Sequence, residues 1–351
     1  MGPVIAYVVS GTAAAGAITP VDTRTHAAGA PIAIGGGAQS ITVTPNGKTV
    51  YVPNGVLNTV TALHTATNTL LPPIPVGGEP FAIVAIPDSK TVYVGNTTSA
   101  SVTPIRVSTN SPLPDIQVGN GPFRLVITPN GRTLYAVNAN DNTVTPIRVS
   151  TNTAEAAIPV GGFPNSAAIT PDGKTLYVGN RNDATVTPVH VPTNTAGPPI
   201  PVGNDPAAIV VTPNGKTAYV SNQGDNTVTP IRTATNSALA PIPVGHQPFD
   251  MAVTPNGRTL YVLNSGSDTV TPIRIATNRA GAPIPVPHPP FTLAVTPDGK
   301  TLYVTGVPTC SPRSVPRRII LGSPSPLERG QMPSPSFFDA SDNTHAQRRM
   351  R

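Results

Sequence analysis

The residues best equipped for chemistry stand where an otherwise monotonous sequence changes. A short segment recurs as G-G-E-P, G-N-G-P, G-G-F-P, G-N-D-P, G-H-Q-P and P-H-P-P, and it brings in Glu79, Asp205, His246 and His288. Carboxylates and imidazoles are the side chains that move protons or ligate metals near neutral pH. His246 and His288 hold equivalent positions in successive copies. If their elements pack as adjacent sheets, about 10 Å apart, the two imidazoles could share a ligand. Zinc ordinarily takes three or four protein ligands, and no third His shares the position. Two solvated loop histidines is the plainer reading, and neither a metal nor a cofactor is expected.

A second set lies just beyond that segment: Ser40, Ala82, Arg124, Ser166, Ala208, Asp250 and Thr292. Arg124 and Asp250 are the charged members. If they point inward they face one another across a central channel, as substrate contacts or as a hydrated polar pair. A third set is basic: Lys48, Lys90, Arg132, Lys174, Lys216, Arg258 and Lys300 in turns, and Arg106, Arg148, Arg232 and Arg274 further on, where His64 and His190 substitute. Such repetition marks a scaffold feature first, although a basic rim would attract an anionic glycan or cell-wall polymer. No nucleophile elbow, Walker loop or helical His pair is present.

The elements that position these residues follow from one period. All eight tyrosines share a motif, and from Tyr51 through Tyr303 they are spaced 42 residues apart. The unit 164–203, PNSAAITPDGKTLYVGNRNDATVTPVHVPTNTAGPPIPVG, divides into four apolar runs separated by turn chemistry. The first run is almost wholly apolar, as for a strand covered on both faces. Asp-Gly or Asn-Gly then supplies a tight hairpin, and TLYV forms the second strand. A polar loop led by Asn (Asn54, Asn96, Asn138, Asn180, Asn222, Asn264) precedes TVTPIRV, the third strand. PIPVG forms the fourth, where prolines suit an outer edge. The Pro within the third strand, as at Pro188, calls for a bulge or an unpaired N–H side.

A four-stranded unit of this size cannot cover its own apolar faces, so copies must stack, and ring closure satisfies every copy. The expected fold is all-β: a seven-bladed β-propeller of four-stranded blades, with a composite closing blade made from the two ends. One Tyr-bearing strand is then surplus, near Tyr7 or Tyr303. Either it is displaced, or the ring descends from a longer, eight-bladed one. The G-x-x-P linkers should rim the channel mouth, the usual ligand face of propellers.

The variants YVPN, YVGN, YAVN, YVSN and YVLN, within TPDGKTLYVGN…NTVTPI…TN…PIPVG, resemble the YVTN-repeat β-propellers over residues 4–304. That resemblance implies a secreted or cell-surface protein of the surface-layer type. The segment MGPVIAYVVSGTAAAG lacks the basic region of a signal peptide.

Of the net charge of +6, residues 1–304 carry fifteen cations against thirteen acids, and residues 305–351 carry seven against three. The excess is thus concentrated in a Pro/Ser/Arg-rich tail, 305–351, read either as a genuine disordered segment or as unrelated sequence from a shifted reading frame, and in both cases expected to be disordered. No basic face interleaved with aromatics speaks for nucleic acid, and no run is long enough to span a membrane. Cys310 is the only cysteine, which excludes an intrachain disulfide framework. These features point first to a monomeric, non-catalytic binding or structural propeller of the cell envelope, recognising a protein or carbohydrate through its linker loops. A lactonase-like hydrolase, built from Glu79, Arg124, Asp205, Asp250 and His246, is the second reading; a haem d1-type cofactor propeller is the third.

Overall fold

The computed structural model describes residues 4–12, 14–38, 40–286 and 290–306, with the backbone of 317–320 and 344–345. The chain is an all-β propeller of repeated antiparallel sheets, with no helix among the described residues. None of it, therefore, is a helix long and apolar enough to cross a membrane. The unit beginning at Pro164 shows how each repeat folds. Its inner strand Pro164–Ile169 pairs with Thr175–Asn180, and that strand pairs with Thr185–His190. Gly173 in the hairpin has φ of 70°, a conformation that Gly adopts without steric cost.

Three local expectations are refined. The fourth strand is two short pieces, Thr195–Ala196 and Ile200–Pro201, both paired with the third. Gly197, Pro198 and Pro199 separate them, and proline has no N–H for a ladder. Pro188 causes no bulge: it lies opposite Tyr177 in unbroken register, with its carbonyl accepting from Gly197 N–H at 2.7 Å. Its N–H-less side therefore faces the break in the outer strand. The register shift falls instead between Pro164 and Ser166, in the inner strand. Finally, Asn180 ends the second strand rather than leading a loop. It is fully buried, and its Nδ2 donates to Thr185 and Thr187 at 3.0 and 2.9 Å, tying second strand to third.

The core lies between sheets. Tyr177 packs with Val186, Ile200, Ile209, Val220 and Ile231, residues of its own sheet and the next. Its hydroxyl donates to Asn236 Oδ1 of the next sheet at 2.6 Å. Tyr51, Tyr93, Tyr135 and Tyr219 make the same bond. Burial pushes all five phenols up to about 12.

Eight sheets occur among the described residues, six built on one complete repeat each and two at the ends. The ends do not merge into the expected composite blade. Pro290–Val295 stays paired with Thr301–Gly306, while Ile5–Gly11 pairs with Gly16–Asp22 in a separate, adjacent sheet. Tyr303 packs on Val8 and Val21, and its hydroxyl is bonded to His26 Nδ1 at 2.8 Å. The Tyr303 strand is thus seated rather than displaced. A hairpin joined by a few residues loses less chain entropy on closing than a pairing of remote ends. Two short tail segments complete these sheets: Arg317–Ile320 pairs with the Tyr303 strand, and Thr344–His345 with Ile5–Gly11. The rest of the tail expected to be disordered lies outside the described residues.

Candidate functional site

The inner strands pack side by side around the centre. Six of them start at a linker whose third residue has a left-handed backbone: Gly37, Glu79, Gly121, Phe163, Asp205 and Gln247. The neighbouring loop holds that linker in place. Asn58, Asn142 and Asn226 accept from the N–H of Glu79, Phe163 and Gln247 at 2.8, 2.8 and 2.9 Å. Asp141, Asp183 and Asp225 accept from Asn120, Gly162 and Asn204 N–H at 2.6–2.7 Å. These carboxylates are structural caps. Backbone donation from Asn120, with its side-chain amide, holds Asp141 below the usual carboxylate range.

The candidates named from sequence fall in separate places. Arg124 and Asp250 share the channel. Arg124 keeps open surface towards the channel yet is enclosed by protein, a combination that a water-filled passage produces. Burial lowers its guanidinium pKa, and the Asp250 carboxylate raises it; arginine nonetheless stays cationic. No hydrogen bond or ion pair from protein engages the guanidinium among the described residues. Asp250 differs: it accepts from Met251 N–H at 2.8 Å, Leu293 N–H at 3.1 Å and Thr292 Oγ1 at 2.5 Å, clasping the next inner strand.

Asp205 and His246 meet elsewhere, in an open cavity of about 730 Å³ with Arg181, Gln223, Asn226 and Gln247. Arg181 grips Asp205 with two bonds, Nε at 2.5 Å and Nη2 at 3.0 Å. His246 is exposed, its backbone N–H donating to Ser267. Glu79 shares neither site. Its side chain is exposed, and its carbonyl accepts from Thr97 N–H and Oγ1 at 3.1 and 2.9 Å. His288 lies outside the described residues, so the proposed His pair does too. Among the described residues no group of three His, Cys, Asp or Glu is placed to hold a metal.

Sequence reasoning missed the aromatic rim. Phe81 and Phe123 are 5.0 Å apart between centroids, Phe123 and Phe163 6.5 Å, and Phe249 and Phe291 5.2 Å. Beside Arg124, Phe81 and Phe123 line a pocket of about 130 Å³ with Ser40, Ile83 and Leu125. The signal was a Pro-Phe dipeptide opening four of the inner strands. Arg181 was missed as well, although it too is a singular charge at an otherwise bland position. The arrangement offers one cation without a hydrogen-bonded protein acceptor among the described residues, beside flat apolar walls, which suits an anionic or strongly polarised oxygen on a ligand with an apolar face.

Comparison with known proteins agrees with this architecture. The model of the family described as "Lactonase, 7-bladed beta-propeller" matches residues 106–198 and 192–289. A Kuenenia stuttgartiensis hydrazine synthase structure is similar at 22% identity and a TM-score of 0.65, covering 81% of this chain and 96% of that one. A functionally unknown protein from Desulfotomaculum acetoxidans is similar at 16% identity and a TM-score of 0.65, covering 80% and 95%. The dihydro-heme d1 dehydrogenase NirN, in complex with DHE, is similar at 14% identity and a TM-score of 0.72, covering 86% and 68%. These three likenesses are of fold. No curated protein matches the chain.

Proposed function

Because the chain belongs to the lactonase, 7-bladed β-propeller family, we propose that it works through its channel mouth, as a cell-envelope propeller that binds a carbohydrate acid there. One observation carries this reading: Arg124 is a cation with no protein acceptor among the described residues, lining a pocket with the Phe81 and Phe123 rings. A carboxylate would form a charge-assisted bond with the guanidinium. The C–H face of a sugar ring would lie against the phenyl groups, and Ser40 lines the same pocket to meet a hydroxyl. Loss of an enclosed charge pair typically costs a large share of affinity. Thermal melting of the full chain with glucuronate, gluconate or neutral glucose tests the proposal. The two acids raise the Tm and glucose does not, since only a ligand that binds the folded state stabilises it; Arg124→Gln abolishes the rise. Equal responses to glucose and glucuronate would count against it.

The family description favours a second reading, hydrolysis of a lactone at the same place. Arg124 would stabilise the oxyanion formed as water attacks the ring carbonyl, and Asp250 would take the proton from that water. Three donors already occupy the Asp250 carboxylate, which leaves little acceptor capacity for a base and places this reading second. Titration of the acid released from a sugar lactone distinguishes the two. Under the hydrolytic reading the chain exceeds the spontaneous rate and Asp250→Asn lowers turnover at least about 100-fold, within the range general bases contribute. Under the binding reading the rate equals the spontaneous one.

A further inference from the structure

The charged side chains of residues 1–304 are sorted between the two faces of the propeller. Each tight hairpin carries a cation directly after its turn residue, and the third strand ends beside it. Val107, Val149 and Val191 N–H donate to the carbonyls of Lys90, Arg132 and Lys174 at 2.9–3.0 Å. Arg106, Arg148 and His190, which precede those valines, therefore stand next to the turn cations. The hairpins are themselves neighbours: a side chain added at Gly131, Gly173 or Gly215 would meet Pro87, Pro129 or Pro171 of the preceding sheet. The result is an arc of basic hairpins running through successive sheets.

Only Arg124 and Arg181 of the fifteen Lys and Arg lie off this face, while only Asp22, Asp88, Glu155, Asp172 and Asp298 of the thirteen acids lie on it. The hairpin face thus carries thirteen cations against five acids, net +8. Off the hairpin face the balance reverses to two cations against eight acids, net −6. Three of the five acids are already paired, with Arg24, Lys90 and Arg148. Lys48, Lys216, Arg232, Arg258, Arg274 and Lys300 are exposed and have no ion-pair partner among the described residues.

We propose that the hairpin face docks on an anionic lipid bilayer. The cations are spread over the hairpins of seven successive sheets, so a flat partner meets many of them at once, whereas a linear polyanion crosses only part of the arc. The five Phe of the propeller body stand at the linker end, so the basic face has no aromatic platform for unpaired bases. Anionic leaflets attract basic patches within about a Debye length, roughly 8 Å at physiological salt. The acidic face is repelled, which turns the channel mouth away from the membrane and towards solvent.

Co-sedimentation of the full chain with vesicles tests this, using phosphatidylcholine alone or mixed with phosphatidylglycerol. The chain pellets with the mixed vesicles, not with phosphatidylcholine, and high salt releases it. Lys216→Glu, Arg232→Glu, Arg258→Glu and Arg274→Glu together weaken binding at least tenfold, while Arg181→Glu on the opposite face has no such effect. Circular dichroism of the fourfold variant verifies its fold. Unchanged binding by that variant would assign the attraction to the tail and overturn the proposal. So would binding to polyphosphate or single-stranded DNA with none to the mixed vesicles.

Discussion

Tyr177→Ala lowers the unfolding free energy by about 3–5 kcal/mol, the range for removing a fully buried aromatic ring, whereas Tyr177→Phe costs about 1 kcal/mol, the net worth of one hydrogen bond. The ring is completely buried between its own sheet and the next, and it contacts aliphatic side chains from both. Truncation leaves a cavity at a junction on which ring closure depends, because neither sheet can cover its apolar face alone. Phe preserves the packing and forfeits only the bond to Asn236. Urea unfolding of the two variants measures both. Similar costs for Ala and Phe would show that the hydroxyl, rather than the packed ring, holds the sheets together.

The same tyrosines make the fold labile to alkali. Tyr51, Tyr93, Tyr135, Tyr177 and Tyr219 keep their protons to about pH 12 in the folded chain, chiefly because burial disfavours phenolate. Nearby carboxylates add to this at Tyr93, Tyr135 and Tyr177. In the unfolded chain a phenol releases its proton near pH 10. Between those values the unfolded state binds fewer protons, so stability falls as pH rises. It is fully present below pH about 10 and is drained by five groups together on the way to about 12. Far-ultraviolet circular dichroism and phenolate absorbance, followed in one titration, should change together over this window. Each Tyr→Phe variant removes one titrating group and makes the pH dependence shallower. Phenolate forming near pH 10 with the sheets intact would mean that the rings are open to solvent.

Much of this molecule was legible in its residues. The four runs, the Asn-Gly and Asp-Gly hairpins and the outward prolines each depend on a few consecutive residues, and local chemistry of that kind is readable without knowing the fold. The candidate site was legible by a different route. In a repeat, a residue that departs from its copies stands out, which found Arg124 and Asp250 together with Asp205 and His246. It passed over Arg181, and it did not weigh Phe81 and Phe123, because Phe recurs at that position and reads as core.

The amino-acid sequence by itself determined that this chain is a ring of repeated sheets, because one 42-residue period with two-sided apolar strands has no other economical way to cover its faces. Only the tertiary structure decided how the ends meet, since seating Tyr303 against Val8 and Val21 in an adjacent sheet is a competition between a local hairpin and a remote pairing. It also decided that the Asp250 carboxylate acts electrostatically on Arg124 while Asp205 and His246 belong to another cavity. Which side chains share a space depends on how sheets turn about a common centre, a property of the assembled ring and of no single repeat.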